Sequence, residues 1–196
     1  MKTLYSIPYS PESLAKAWQR ERPDLDHTGL AITLRIRGLT MLIDRHIADI
    51  AARLSLDPKD LMLLYALRRS GKPYCMRPTD IFRLLSVTSG AATYRADKLV
   101  ERGVARRISD PEDRRSQLIQ LTEAGLELVD IAITELANTS LNCLKYIPKD
   151  DDSIDILNRM LGLLEAGWLS ETPAEENPLS RSERAQKIKK PSASES

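Results

Sequence analysis

The order of patterns between residues 79 and 121 constrains this chain more than any other feature. Residues 80–85 and 88–102 are each patterned as a helix, and a tight turn separates them. Two β-capable runs, 104–108 and 117–121, follow at once, with turn-forming Ser, Asp and Pro residues between them. Two helices joined by a tight turn and followed directly by a β-hairpin predict a winged helix-turn-helix.

The flanking segments are also helical in their pattern. Apolar residues recur there about every 3.6 positions, and Ser10-Pro11-Glu12 has the residue types that favour a helix N-terminus. The spacing predicts helices over residues 10–22, 29–54, 57–70, 122–147 and 153–167, and a short strand at 74–76. The expected fold class is therefore mainly α with a small β-hairpin wing (α+β).

Composition and motifs exclude several classes of protein. No apolar run approaches the ~18 residues that a membrane span needs, and the first six residues lack the apolar stretch of a secretory signal. Cys75 and Cys143 are too few for a disulfide scaffold or a cysteine zinc site, and His27 and His46 stand apart from other ligand types. The H-E-x-x-H, G-x-S-x-G, P-loop and dinucleotide-binding motifs are missing from the sequence. We therefore expect a cytoplasmic protein that is not an enzyme and has no metal or cofactor.

The formal net charge of +1 hides an uneven distribution. Residues 68–115 hold twelve Lys and Arg against six Asp and Glu, whereas residues 116–196 hold eight against fourteen. A basic middle third favours an anionic partner, because neutralising phosphates supplies most non-specific nucleic-acid affinity. The alternative is a solvated surface on which these charges cluster by chance.

The helix that begins near Thr88 has one apolar and one polar face. Ala92, Ala96 and Leu99 fall on one stripe, which must pack on the core. Small polar residues at its N-terminus suit close approach to a phosphate, because free N–H groups and the positive end of the helix dipole point there. The residues predicted to contact DNA phosphates or base edges are Thr88, Ser89, Gly90, Thr93, Tyr94 and Lys98. An ordinary amphipathic surface helix would show the same pattern.

The predicted hairpin carries a dense set of charges. An arginine that reaches a narrow minor groove meets enhanced negative potential, so the hairpin arginines are predicted to bind DNA. They are Arg106 and Arg107 on the leading strand and Arg114 and Arg115 at the tip. Asp110 and Asp113 can structure the turn by accepting backbone N–H groups or by pairing an arginine. The alternative is a charged surface turn held by internal salt bridges.

The residues of the wing resemble those of a known family. Asp110-Pro-Glu-Asp-Arg-Arg115, followed by Ile119-Gln-Leu-Thr-Glu-Ala-Gly125, is similar to the wing and helix entry of the MarR family of transcriptional regulators. Lys98-Leu-Val-Glu-Arg-Gly103 resembles the end of that family's recognition helix, and the resemblance extends over residues 29–167. It implies a homodimeric repressor with a triangular, mostly helical fold. It also implies a pseudo-palindromic operator and release of the DNA by a small ligand or an oxidant.

The N-terminal helix resembles one branch of that family more closely. Trp18-Gln-Arg-Glu-Arg-Pro-Asp-Leu-Asp26 is similar to the urate-responsive branch, the HucR and PecS type. The resemblance implies a ligand site in which a Trp, two acids and an Arg surround an anionic purine, and Trp18, Asp80 and Arg95 match three of these four. Met62 stands where the other acid is expected, so Arg95 is expected to lack that partner. The alternative for Trp18 is a core aromatic that packs the extra helix.

The long helices at both ends carry more apolar residues than a small winged domain can cover. Burial against a second copy would give a two-fold dimer, with the DNA-reading helices one turn of DNA apart, roughly 34–36 Å. The alternative is a helical cap that folds back on the same chain. We therefore predict five segments along the chain. They are an N-terminal extension with the extra helix at 1–28, a dimerisation helix at 29–56, a DNA-binding lobe at 57–121, C-terminal dimerisation helices at 122–170 and a disordered tail at 171–196.

Overall fold

The structure, a computed structural model, describes residues 10–85, 88–111, 116–148 and 152–171. Its elements in chain order are α1 (Pro11–Glu21), α2 (Thr28–Arg53), α3 (Pro58–Arg69), β1 (Cys75–Met76), α4 (Pro78–Leu85), α5 (Ser89–Glu101), β2 (Ala105–Ser109), β3 (Gln117–Leu121), α6 (Glu123–Leu144) and α7 (Ser153–Glu171). The chain forms two compact units, Met1–Ala137 and Asn138–Ser196. The predicted order of helices and strands, and the mainly α class, are confirmed.

Three helices begin at residues whose side chains cap them. Ser10, Asp57 and Thr88 precede α1, α3 and α5, and each side-chain oxygen accepts a hydrogen bond from a backbone N–H of the first turn. Proline occupies the first position of α1 and α3, where its missing N–H has no intrahelical partner to lose. These starts agree with the sequence prediction.

Other helix ends differ from the prediction by two to four residues. α4 begins at Pro78 rather than Asp80, because proline presets the helical φ and the Arg77 carbonyl accepts the N–H groups of Asp80 and Ile81. α6 ends at Leu144. The N–H groups of the next three residues bond to carbonyls three positions back, a tighter pattern than that of an α-helix, and Pro148 follows. α7 continues to Glu171 because its apolar spacing continues through Trp168.

The sheet has three antiparallel strands in the order β1-β3-β2. β1 pairs with the end of β3 through Cys75 opposite Gln120. β2 and β3 pair along their full length, from Ala105 opposite Leu121 to Ser109 opposite Gln117. The Asp110 N–H donates to the Ser116 carbonyl at 3.0 Å, which extends the pairing of the two strands by one residue in the same register. We call β2, β3 and their connection the wing.

The core of the first unit is built around α3. Four of its leucines, at positions 61, 63, 64 and 67, are fully buried. The other elements contribute the buried residues Ile50, Ala51, Ile81, Ala92, Ala96, Leu99, Val104, Ala105, Ile119, Leu121, Val129 and Ala132. The predicted core stripe of α5 is among them, so α5 packs on the core through one face and leaves the other face in solvent.

The second unit contains the end of α6 and all of α7. None of the residues in α7 is buried, and its apolar side chains include Ile154, Leu157, Met160, Leu161 and Trp168, all of them exposed. Within the described ranges, no helix has both the length and the apolarity that crossing a membrane requires.

Candidate nucleic-acid interface

The outer face of α5 carries all six of the helix residues that were predicted to contact DNA. Thr88, Ser89, Gly90, Thr93, Tyr94 and Lys98 are exposed. Tyr94 is the most prominent of the large side chains among them, with 62% of its surface exposed. Because the opposite stripe of α5 is buried, this polar face is fixed toward solvent.

The first turn of α5 is arranged as a helix N-terminus open to an anion. The Thr88 hydroxyl oxygen accepts the N–H of Ala91 at 3.3 Å, and the Thr93 hydroxyl donates to the Ser89 carbonyl at 3.1 Å. The N–H groups of Ser89 and Gly90 lie before the first intrahelical bond and point along the helix axis. An incoming phosphate oxygen can accept from them, as helix N-termini generally allow.

The two arginines of the leading wing strand have protein partners. Arg106 Nε donates to the Gln120 side chain at 2.8 Å, across the strand pair. Arg107 binds the Asp97 carboxylate of α5 at 2.5 Å and lies 3.5 Å from the Gln117 amide oxygen. Asp97 thus ties the wing to α5. The guanidinium of Arg107 is therefore bound on one edge by Asp97 and Gln117, while its positive charge still adds to that of the surface.

Asp110 joins the wing to the start of α4. It is 2% exposed, and its carboxylate accepts from Arg77 Nε at 2.7 Å. This is one of the two ways in which the sequence analysis expected Asp110 to structure the turn. The other predicted wing-tip residues, Asp113, Arg114 and Arg115, lie outside the described residues.

Arg95 has two acidic partners at the start of α3, although position 62 supplies none. Its Nη1 donates to Asp60 at 2.6 Å and to Asp57 at 2.8 Å. Asp60 lies two positions before Met62, about half a turn of helix away, and its carboxylate is buried. The guanidinium is therefore already neutralised by two carboxylates, which are supplied by positions 57 and 60 and not by position 62.

The charges of this α3–α5 network reinforce each other. Burial raises the pKa of the Asp57 carboxyl, but the Lys59 N–H and the Arg95 guanidinium outweigh it, so that pKa lies below its ordinary value. Burial opposes the charge of Arg95, but the Asp60 and Asp57 carboxylates raise its pKa above the ordinary value. Asp57 and Arg95 both remain charged at neutral pH.

The three residues predicted for a ligand site are not joined to one another. Trp18 is 49% exposed on α1, so it is not the core aromatic of the alternative interpretation. Asp80 is exposed in the first turn of α4, while Arg95 binds α3. In the described part of the chain, no side-chain hydrogen bond or ion pair links Trp18, Asp80 and Arg95.

Three structurally important polar residues were not predicted from the sequence. They are Asp60, Arg77 and Arg102, the last of which donates to the carbonyls of Leu54 and Ser55 after α2. A signal existed for Asp60, because Arg95 lies at the edge of the apolar stripe of α5, where a charge needs a partner. Arg77 and Arg102 bind groups far away in sequence, and no local pattern indicates those contacts.

Comparison with known proteins agrees with this geometry. A family model described as the MarR family matches residues 54–116. The HTH-type transcriptional regulator PecS of Dickeya dadantii is 30% identical over 152 residues, which is 78% of this chain and 90% of PecS.

Solved structures give the same fold. Wild-type MarR from E. coli in its apo form has a TM-score of 0.54 at 24% identity, covering 66% of this chain and 92% of that one. A mutant of E. coli MarR complexed with operator DNA has a TM-score of 0.53 at 22% identity, covering 75% of this chain and 96% of that one. At these identities the two structures support the winged-helix fold.

Proposed function

Because the chain belongs to the MarR family of transcriptional regulators, we propose that it acts as a homodimeric repressor that binds a pseudo-palindromic operator. It is a transcriptional regulator and not an enzyme. The observation that carries the finer proposal is the outer face of α5, whose six candidate contact residues are all exposed beside the wing. A structural relative is bound to operator DNA, which gives the proposal a precedent in this fold.

The proposed contacts divide between the two grooves of the duplex. The exposed face of α5 enters the major groove, where Thr93, Tyr94 and Lys98 meet base edges. The open N-terminus of α5 binds a phosphate. Arg114 and Arg115 at the wing tip enter the adjacent minor groove, where the negative potential is strongest if the groove is narrow.

Replacing Arg114 and Arg115 together with alanine should weaken binding to the operator by about 1 kcal/mol or more and flatten its salt dependence. The probe is a duplex that the purified protein selects from a random pool, titrated by fluorescence anisotropy at several salt concentrations. Replacing Arg20 of α1 and Arg22, the residue that follows α1, together with alanine gives the same change in net charge and should leave both quantities near the wild-type values.

Unchanged affinity and slope in the Arg114/Arg115 variant would contradict the role of the wing. Failure of the wild-type protein to select any duplex, with no gel shift on its own promoter fragment, would contradict operator binding itself. That result would favour the alternative function, a winged-helix module that binds other proteins.

The second unit supports the dimer. Ile154, Leu157, Leu161 and Trp168 recur at intervals of three to seven residues along one face of α7, and all are exposed. A row of large apolar side chains in water is typical of a protein–protein interface. We propose that a second copy covers it in a two-fold arrangement.

Replacing Leu161 with glutamate should convert the dimer into monomers, because it would bury a carboxylate in the proposed apolar contact. Light scattering coupled to gel filtration measures the mass directly. Ala166→Glu is the matched control, since it places the same carboxylate on the polar face of α7 and should leave the mass unchanged. A wild-type protein that is monomeric at micromolar concentration would contradict the dimer.

The proposal includes release of the DNA by a small anionic or aromatic effector. Such a molecule would compete with Asp57 and Asp60 for Arg95 and would lie near α1. In a Trp168→Phe background, Trp18 becomes the only tryptophan, and its emission should change saturably with urate or a related anion as DNA is released. No change in emission together with no release would remove these anions as effectors.

A further inference from the structure

We propose that Asp60, a buried carboxylate of α3, is a positioning residue that increases the discrimination of α5 between operator and other DNA. From its buried position on α3, Asp60 binds Arg95 and Lys98 of α5. Lys98 is thereby held beside Tyr94 and does not bind a DNA phosphate. This role rests on the proposed operator binding.

The carboxylate of Asp60 has a cation at each oxygen. Its Oδ1 accepts from Arg95 Nη1 at 2.6 Å, and its Oδ2 lies 3.4 Å from Lys98 Nζ. The side chain of Asp60 is 3% exposed and that of Arg95 is 16% exposed, whereas that of Lys98 is 43% exposed. Solvent screens the inner pair weakly, so Asp60 and Arg95 form a fixed anchor, and Lys98 is the movable member.

Lys98 connects this anchor to the DNA-facing surface. Its ammonium lies 5.7 Å from the centroid of the Tyr94 ring, within the range of a cation–π contact. Tyr94 is 62% exposed, and Lys98 lies over one face of its ring. The position of the Asp60 carboxylate therefore affects the orientation of the most exposed large side chain of α5.

The two kinds of DNA contact respond differently to this arrangement. Phosphate contacts are independent of sequence, and each steepens the dependence of log K on log salt by about 0.9. Base-edge contacts carry the sequence information. While Lys98 is paired with Asp60, it contributes little to phosphate binding and stays beside Tyr94 at the base edges. Without the negative charge of Asp60, Lys98 is free to bind a phosphate.

The test compares Asp60→Asn with wild type on two duplexes of equal length, one selected by the protein from a random pool and one scrambled. We expect tighter binding of the variant to the scrambled duplex at low salt, with a salt slope steeper by about 0.9. We also expect the selected-to-scrambled affinity ratio to fall about tenfold, equivalent to loss of one base contact.

Asp57→Asn is the matched control. Asp57 also binds Arg95, but no ion pair joins it to Lys98 among the described contacts. Asparagine can still cap α3. This variant should keep the wild-type slope and ratio. If Asp60→Asn weakens both duplexes equally with an unchanged slope, Asp60 serves only the fold and the proposal is wrong.

Lys98→Met provides the second test if Asp60→Asn does not fold, because position 98 is exposed. The affinity ratio should fall while the slope on the scrambled duplex stays at the wild-type value. A slope shallower by about 0.9 would show that Lys98 already binds a phosphate, and would overturn the role of Asp60. A wild-type protein that does not distinguish the duplexes would overturn the proposed function, and this role with it.

Discussion

Replacing Gly125 with alanine should lower the free energy of unfolding by about 3 kcal/mol, the upper part of the range for overpacked sites. Gly125 lies in the first turn of α6, where the helix crosses the base of the wing. A Cβ atom there would lie 1.9 Å from the Val104 carbonyl oxygen and 2.9 Å from its carbon. Backbone atoms cannot turn aside as a flexible side chain can, so α6 or β2 must move.

The contacts around Gly125 make that movement costly. The Thr122 hydroxyl donates to the Gly103 carbonyl at 2.7 Å and accepts the Gly125 N–H at 3.1 Å. The Thr122 N–H donates to the Val104 carbonyl at 3.2 Å. A shift that admits a methyl group at position 125 strains these bonds together, and it displaces the base of the wing.

Gly162→Ala in α7 is the matched control for Gly125→Ala. An added Cβ at Gly162 has nothing within 4 Å, so this substitution should stabilise the chain by about 0.5–1 kcal/mol through the better helix propensity of alanine. Denaturant unfolding followed by circular dichroism gives both values. A Gly125→Ala protein as stable as wild type would contradict the close contact between α6 and Val104.

The sequence predicts the elements of this fold well because its signals are local. Capping residues such as Ser10, Asp57 and Thr88, and positive-φ glycines such as Gly71 and Gly103, act within one turn of the chain. The ends that were predicted less accurately, at α4, α6 and α7, depend on how far a helix continues beyond its last strong signal.

The candidate interface was predicted in its outline but not in its internal contacts. Periodicity alone separates the buried stripe of α5 from its exposed face, so Tyr94 and Lys98 were found. The partners of Arg95, Arg107 and Asp110 lie between 10 and 38 residues away in sequence. A charge on a strand or helix edge shows that a partner is needed, but only the fold determines which residue supplies it. The acid for Arg95 was therefore assigned to position 62 when Asp60 and Asp57 provide it.

Replacing Asp110 with alanine should reduce both the stability of the fold and the affinity for DNA. Asp110 is 2% exposed, and its contact with Arg77 at 2.7 Å is a charge-assisted hydrogen bond, a class whose loss costs about 1.5–3 kcal/mol. Arg77 precedes α4, and its carbonyl accepts the N–H groups of Asp80 and Ile81. The carboxylate therefore joins the wing to the helix-turn-helix.

The loss of DNA affinity should arise through the wing tip. Without the Asp110 carboxylate, the hairpin is held less firmly beyond the Ser109–Gln117 pair, which should weaken the proposed minor-groove contact of Arg114 and Arg115. We expect binding to the selected duplex to weaken about tenfold, or about 1.4 kcal/mol, with a flatter salt slope. Asp44→Ala, an exposed acid of α2, should change neither the affinity nor the stability.

A variant cycle separates the two consequences of losing Asp110. Added to a protein that already carries Arg114→Ala and Arg115→Ala, Asp110→Ala should cause little further loss of affinity, because the two arginines proposed to contact the minor groove are gone. The part of its effect on the free energy of unfolding that comes from the contact with Arg77 should remain, because that contact does not involve them. Additive losses of affinity would show that Asp110 acts on DNA binding through α4 and not through the wing tip.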